Sequence, residues 1–134
     1  MKIFDPIKIK NVVFQNRVVM APMVPFGLPA NKDGSMSNDL MHHYLQRIPN
    51  GAGLMICQAL SVTSDSRTSQ RAIVGGAGAY SDTHIAYINQ LAEACHSYGT
   101  KFFAQLAYPS DGHRKGDSIN QLTEADMERI KNEF

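Results

Sequence analysis

Hydrophobic and polar positions follow two different periods along this chain, and the two periods alternate. Predominantly apolar runs occupy 17–23, 53–60 and 101–107, and the first of them contains β-branched residues. Runs of this length predict strands that are buried on both faces, as in parallel sheets. Between and after these runs, apolar residues recur every three or four positions, which predicts helices.

Each predicted helix has recognisable end signals. The first begins after Ser37 and stops at Pro49, the second begins after Ser81 and stops at Gly99, and the segment 123–126 resembles a capping box that opens a third. The predicted apolar faces are Leu40, Met41, Tyr44, Leu45 and Ile48 in the first helix, and Ile85, Ile88, Leu91, Ala92 and Cys95 in the second. This order of strands and helices predicts an α/β fold with a parallel sheet and right-handed crossovers.

The two ends of the chain add to this picture. Alternation at 7–10, a turn and the run 12–14 predict an N-terminal β-hairpin. At the other end, an apolar stripe has just begun in the third helix when the sequence stops, and three parallel strands leave two sheet edges unpaired. We therefore expect residues 1–134 to be a single partial domain of a larger assembly.

Composition and charge exclude several classes of protein. Hydrophobic residues make up 43% and charged residues 19%, as in a folded globular chain. With 13 basic and 12 acidic residues, we expect no nucleic-acid partner and no anionic membrane surface. No apolar run reaches the roughly 18 residues of a membrane span, and residues 1–6 lack the core of a secretion signal, which favours the cytoplasm. Cys57 and Cys95 are expected to be buried, reduced thiols.

Candidate chemistry is sparse. No spacing indicates a nucleophilic triad or a carboxylate pair, so the catalytic residues are unknown, and the adjacent His42 and His43 would make a poor chelate, so no metal site is expected. Gln105 interrupts an apolar strand, and a buried carboxamide needs partners. Either nearby backbone groups form hydrogen bonds with the Gln105 carboxamide, or the carboxamide faces a ligand. The residue pattern does not decide between these alternatives. For Gln58, in the second strand, backbone satisfaction is favoured.

Specific motifs resemble a known family. Asn16 to Met23 almost completely matches the first-strand pattern N-R-[IV]-V-M-[AS]-P-M of the Old Yellow Enzyme family, the FMN-dependent NADH:flavin oxidoreductases. Less specific matches follow in the family's order at Phe4–Lys10, Gly53–Ala59, Tyr80–Asp82, Phe103–Leu106 and Leu122–Thr123. The resemblance covers essentially the whole chain.

This resemblance implies an eight-stranded (β/α)8 TIM barrel that binds FMN at the carboxyl ends of its strands. The chain would supply the N-terminal hairpin and the first three βα units, and so an incomplete barrel. By position, Ala21, Pro22 and Met23 would lie along the flavin ring, Ala59 would offer backbone contacts, and Gln105 would hydrogen-bond the pyrimidine edge.

The implied activity is hydride transfer from NADH or NADPH through FMN to an activated alkene or related small-molecule acceptor. Segment 107–114 departs from the family's His-x-Gly-Arg turn. The family's substrate-holding pair, tyrosine proton donor and phosphate-binding loops lie beyond residue 134, so a complementing chain or homo-oligomer would have to complete the barrel. The alternative is a non-catalytic barrel fragment that self-associates and binds no flavin.

Overall fold

The N-terminal part of the chain is an antiparallel hairpin, and the remainder alternates strands with helices. The structure, a computed structural model, describes residues 2–64, 76–108 and 122–134. The hairpin pairs β1 (Ile7–Ile9) with β2 (Val12–Phe14). The later elements are β3 (Val19–Met20), α1 (Asn38–Leu45), β4 (Leu54–Ser61), α2 (Ile85–Ser97), β5 (Lys101–Ala107) and α3 (Glu124–Asn132).

The later strands form a parallel sheet in the order β3-β4-β5. Of the strand predicted at 17–23, only Val19 and Met20 pair with β4, so that prediction was too long. The chain leaves the sheet just before Pro22, which has no N–H to donate to a ladder. The central strand, β4, is the most buried element of the sheet.

The sheet has one closed face and one open face. Met55 of β4 and Phe102 of β5 pack into the hydrophobic core against α1 and α2. Phe103 points to the other side, where its ring meets Phe14 of the hairpin edge-on with centroids 6.4 Å apart. Side chains alternate along a strand, so Gln105 shares the open face with Phe103.

The buried face of α2 agrees with the prediction at Leu91 and Cys95, but it differs at the start of the helix. Ser81 caps a 3-10 turn at Asp82–His84, and the α-helix proper starts only at Ile85. Ile85 is 61% exposed, whereas Tyr87, Leu91 and Cys95 are buried. The four-residue spacing of these three places them on one face, and Ile85 lies outside that row.

The capping box at the start of α3 is confirmed. Thr123 Oγ1 accepts a hydrogen bond from the Asp126 amide at 3.2 Å, and Asp126 Oδ2 accepts one from the Thr123 amide at 3.0 Å. The helix is tied to the end of β5 where Arg129 Nη1 donates to Tyr108 Oη at 2.8 Å. The apolar stripe of α3 is only partly covered: Ile130 is half-buried, whereas Met127 is 53% exposed.

Asn16 anchors the start of β3 to the turn before β4. Its Nδ2 donates to Gly51 O at 2.7 Å, and its Oδ1 accepts from the amides of Val18 and Gly53 at 3.0 and 2.8 Å. Gly53 packs so closely that a Cβ there would lie 2.3 Å from Asn16 O. The asparagine and the glycine together set the level at which the two strands begin.

Both cysteines are buried and unbonded to each other, as predicted. Burial raises the pKa of each thiol from 9.0 to about 11. In the part of the chain that the structure describes, no helix is both long and apolar enough to cross a membrane.

Replacing Asn16 with alanine is expected to lower the free energy of unfolding by about 2–3 kcal/mol, because three partly buried hydrogen bonds are lost. Chemical denaturation measures this. The control is Asn89→Ala, which removes an exposed side-chain bond to Glu93 and should cost under about 0.5 kcal/mol. Equal losses in the two variants would contradict an anchoring role for Asn16.

The folded chain should resist an aromatic disulfide reagent at pH 8. A pKa of about 11 keeps both thiols protonated there, with a thiolate fraction about a hundredfold below that of an ordinary cysteine. Reactivity should rise with pH toward 11, and in guanidinium both Cys57 and Cys95 should react at once. Rapid modification of the folded chain at pH 8 would contradict their burial.

Candidate functional site

The carboxyl ends of three parallel strands meet at one edge of the sheet, where α/β proteins usually place their sites. The predicted residues lie toward this edge. Segment 21–23 follows β3 directly, Ala59 lies two residues before the end of β4, and Gln105 lies two residues before the end of β5.

Ala59 and Gln105 lie directly opposite each other. The β4–β5 ladder runs in register to Cys57 and Ala104, shifts by one residue, and resumes with Ala59 opposite Gln105. Ala59 is half-buried. The expectation that Gln105 is buried was wrong: its side chain is exposed, because it points to the open face of the sheet. Its carboxamide makes no hydrogen bond to any residue that the structure describes, which leaves its donor and acceptor groups accessible.

The position of segment 21–23 relative to these two residues is set by the pairing of β3 with β4. Ala21 is exposed, Pro22 is half-buried, and Met23 is 71% exposed. The structure therefore pairs Ala59 with Gln105 and sets 21–23 at the same end of the neighbouring strand. Three apolar residues there offer a surface that an aromatic ring could cover.

Sequence reasoning missed the device that creates the Ala59–Gln105 pair. The shift is a β-bulge at Gln58. The backbone N–H of Gln58 donates to the hydroxyl of Tyr44 on α1 at 2.9 Å. Tyr44 and Gln58 are both fully buried. The available signal was a tyrosine on an apolar helix face, since a buried hydroxyl needs a hydrogen-bond partner.

The loops at this end of the sheet are also tied to each other. Tyr80 Oη donates to Asp33 O at 3.0 Å, and Nε2 of the buried His84 lies 3.0 Å from the same oxygen. Gly34 allows this approach, since a Cβ there would lie 2.2 Å from Tyr80 Oη. Hydrogen bonds from Ser35 lower the pKa of the Asp33 carboxyl. The loop after β3 is thus fixed to the start of the second helical segment.

Other candidate groups add nothing to this site. Within 2–64, 76–108 and 122–134, no three His, Cys, Asp or Glu side chains are grouped to hold a metal ion. The segment 109–114, which departs from the family's turn, lies outside the described residues.

Comparison with known sequences supports the resemblance that the motifs carry. The chain is 34% identical over 107 residues to the NADPH dehydrogenase of Listeria welshimeri and 35% identical over 107 residues to that of Bacillus subtilis. Each match covers 80% of this chain and 30% of the relative. The chain therefore spans about a third or less of the length of these relatives.

Comparison with solved structures gives the same result for the fold. The Old Yellow Enzyme of Pichia sp. superposes with a TM-score of 0.76 at 20% identity, covering 98% of this chain and 40% of the other. The Old Yellow Enzyme homologue of Zymomonas mobilis gives 0.63 at 27% identity, covering 79% and 28%. A model of the NADH:flavin oxidoreductase / NADH oxidase family matches residues 2–132. The chain belongs to the NADH:flavin oxidoreductase / NADH oxidase family.

Proposed function

We propose that this chain forms the first part of the FMN site of an NADH- or NADPH-dependent oxidoreductase with a TIM-barrel fold. The observation that carries the proposal is the pairing of Ala59 with an exposed, accessible Gln105 at the carboxyl end of a parallel sheet. The buried thiols agree with a cytoplasmic location.

The chemistry of Gln105 fits the pyrimidine edge of a flavin. That edge presents two carbonyl oxygens and one N–H, and a carboxamide can both donate to it and accept from it. Ala59 beside it carries only a methyl group, so its backbone stays accessible to a planar ring. Segment 21–23 would contact the ring through apolar groups and exclude water from that side.

The residues of this chain bind and orient, and the cofactor carries the redox chemistry. When bound, FMN would supply a hydride acceptor for the nicotinamide and a hydride donor to an activated alkene or a related acceptor. In this proposal Gln105 holds the pyrimidine edge, and no side chain of the chain is assigned a proton-transfer step.

In this proposal the chain by itself binds FMN through these residues, and a partner that covers the open sheet face would complete the site. Phe103 on that face is 47% exposed, and β5 has no neighbouring strand on its outer side among the described residues. A complementing chain, a further segment or a second copy that supplies later barrel strands would pair with this edge and complete the FMN site.

A second candidate function is a non-catalytic, self-associating fragment. It is favoured by the same uncovered apolar surface, since unpaired edge strands and exposed aromatic residues promote association between identical chains. The two candidates differ in whether the chain binds FMN.

FMN added to the chain should give bound-flavin absorbance and quenched flavin fluorescence. Gln105→Ala is expected to raise the dissociation constant for FMN roughly tenfold, because two hydrogen bonds to the pyrimidine edge are lost. The matched control is Gln90→Ala, an exposed glutamine on α2, which should leave the constant unchanged. If the wild-type chain leaves FMN fluorescence unchanged, the proposal fails and the second candidate stands.

Association through the open face should raise the mass measured by light scattering above that of the 14.8 kDa monomer. Phe103→Lys is expected to shift the mass toward the monomer, because a charge on the open face opposes its burial. Ile85→Lys, at an apolar position 61% exposed on the helix side, is the control and should not change the mass. A monomeric wild-type chain would contradict self-association.

A further inference from the structure

The β-bulge in β4 selects which side chain lies beside Gln105. On either side of it the register is regular, with Cys57 opposite Ala104 and Leu60 opposite Leu106. In a ladder without the bulge, Gln58 would lie opposite Gln105, and Ala59 would move one position along and onto the other face. The bulge thus places a methyl group where a second carboxamide would otherwise stand.

A bulge inside a core needs a partner for the backbone amide that leaves the ladder. Here the amide of Gln58 donates to Tyr44 Oη at 2.9 Å, and no water can replace this contact because both residues are fully buried. The ring of Tyr44 packs in the core with Leu40, Met55 and Leu60, so α1 fixes the position of the hydroxyl.

The hydroxyl stays an uncharged hydrogen-bonding group at any physiological pH. Burial is the main cause that raises the pKa of Tyr44 from 10.0 to about 12. The hydrogen bond between Tyr44 and Gln58 therefore does not change with pH over the physiological range.

We propose that Tyr44 is a positioning residue for the flavin site, and that its hydroxyl holds the bulge at Gln58 so that Ala59, and not Gln58, faces the cofactor beside Gln105. Tyr44 lies on the helix side of the sheet and acts only through the strand. This inference rests on the proposed function, because it assigns Tyr44 a role in the same FMN site.

The chain offers a matched pair of variants. Tyr44→Phe removes the hydroxyl and keeps the ring. Tyr87→Phe does the same on α2, where the buried Tyr87 hydroxyl donates to Gly78 O, away from the bulge. Both variants lose one buried hydrogen bond to the backbone, so they are expected to lose similar stability, but only the first touches the β4–β5 register.

Three readouts separate a positioning role for Tyr44 from a purely stabilising one. In Tyr44→Phe we expect the Gln58 amide to exchange hydrogen at least about tenfold faster, the nuclear Overhauser contact between Ala59 and Gln105 to weaken, and the dissociation constant for FMN to rise about three- to tenfold. In Tyr87→Phe all three should stay within about twofold of wild type. Equal effects of the two variants, or an unchanged register in Tyr44→Phe, would overturn the proposal.

Measurements on the unmodified chain keep the inference testable even if Tyr44→Phe does not fold. A wild-type contact between Ala59 and Gln105 together with slow exchange of the Gln58 backbone amide supports it, whereas a contact between the side chains of Gln58 and Gln105, with none between Ala59 and Gln105, overturns it. If wild type binds no FMN, the proposed function fails, and with it the flavin role of Tyr44. Exchange and contact data then still decide whether Tyr44 sets the register.

Discussion

Paired strands send alternate side chains to opposite faces of a sheet, and one extra residue in either strand reverses that alternation. In this chain the extra residue lies in the central strand, between Cys57 and Ala59. Before it, Cys57 faces the helices. After it, Ala59 shares the open face with Gln105. The small residue and the carboxamide could not lie side by side on this face if the ladder were regular.

The helices on the closed face of the sheet stabilise this bulge. Leu40, Tyr44 and Leu91 are fully buried between the helices and β4, so the contact that supports the bulge is shielded from water. At the other end of β4, Asn16 fixes where the strand begins relative to β3. A fixed start and a supported bulge together determine which residues reach the carboxyl edge.

The two faces of the sheet therefore differ in kind. Helices α1 and α2 cover one face and form the hydrophobic core with it. The other carries Phe103, Gln105 and the half-buried Ala59, and among the described residues Phe14 of the hairpin covers it where it meets Phe103. Exposed apolar surface of this kind favours the binding of either a ligand with an aromatic ring or further protein.

Local patterns in the sequence determined the order of strands and helices, the caps at Ser37, Ser81 and Thr123, and the burial of both cysteines, because these depend on neighbours a few residues apart. The motif at 16–23 identified the family. Only the tertiary structure decided that Gln105 is exposed, that Ile85 lies outside the buried face of α2, and that a bulge at Gln58 pairs Ala59 with Gln105. These outcomes depend on contacts between residues far apart in the chain. The hydroxyl of Tyr44 and the amide of Gln58 meet only after α1 has packed on the sheet, and no periodicity within either segment encodes that meeting.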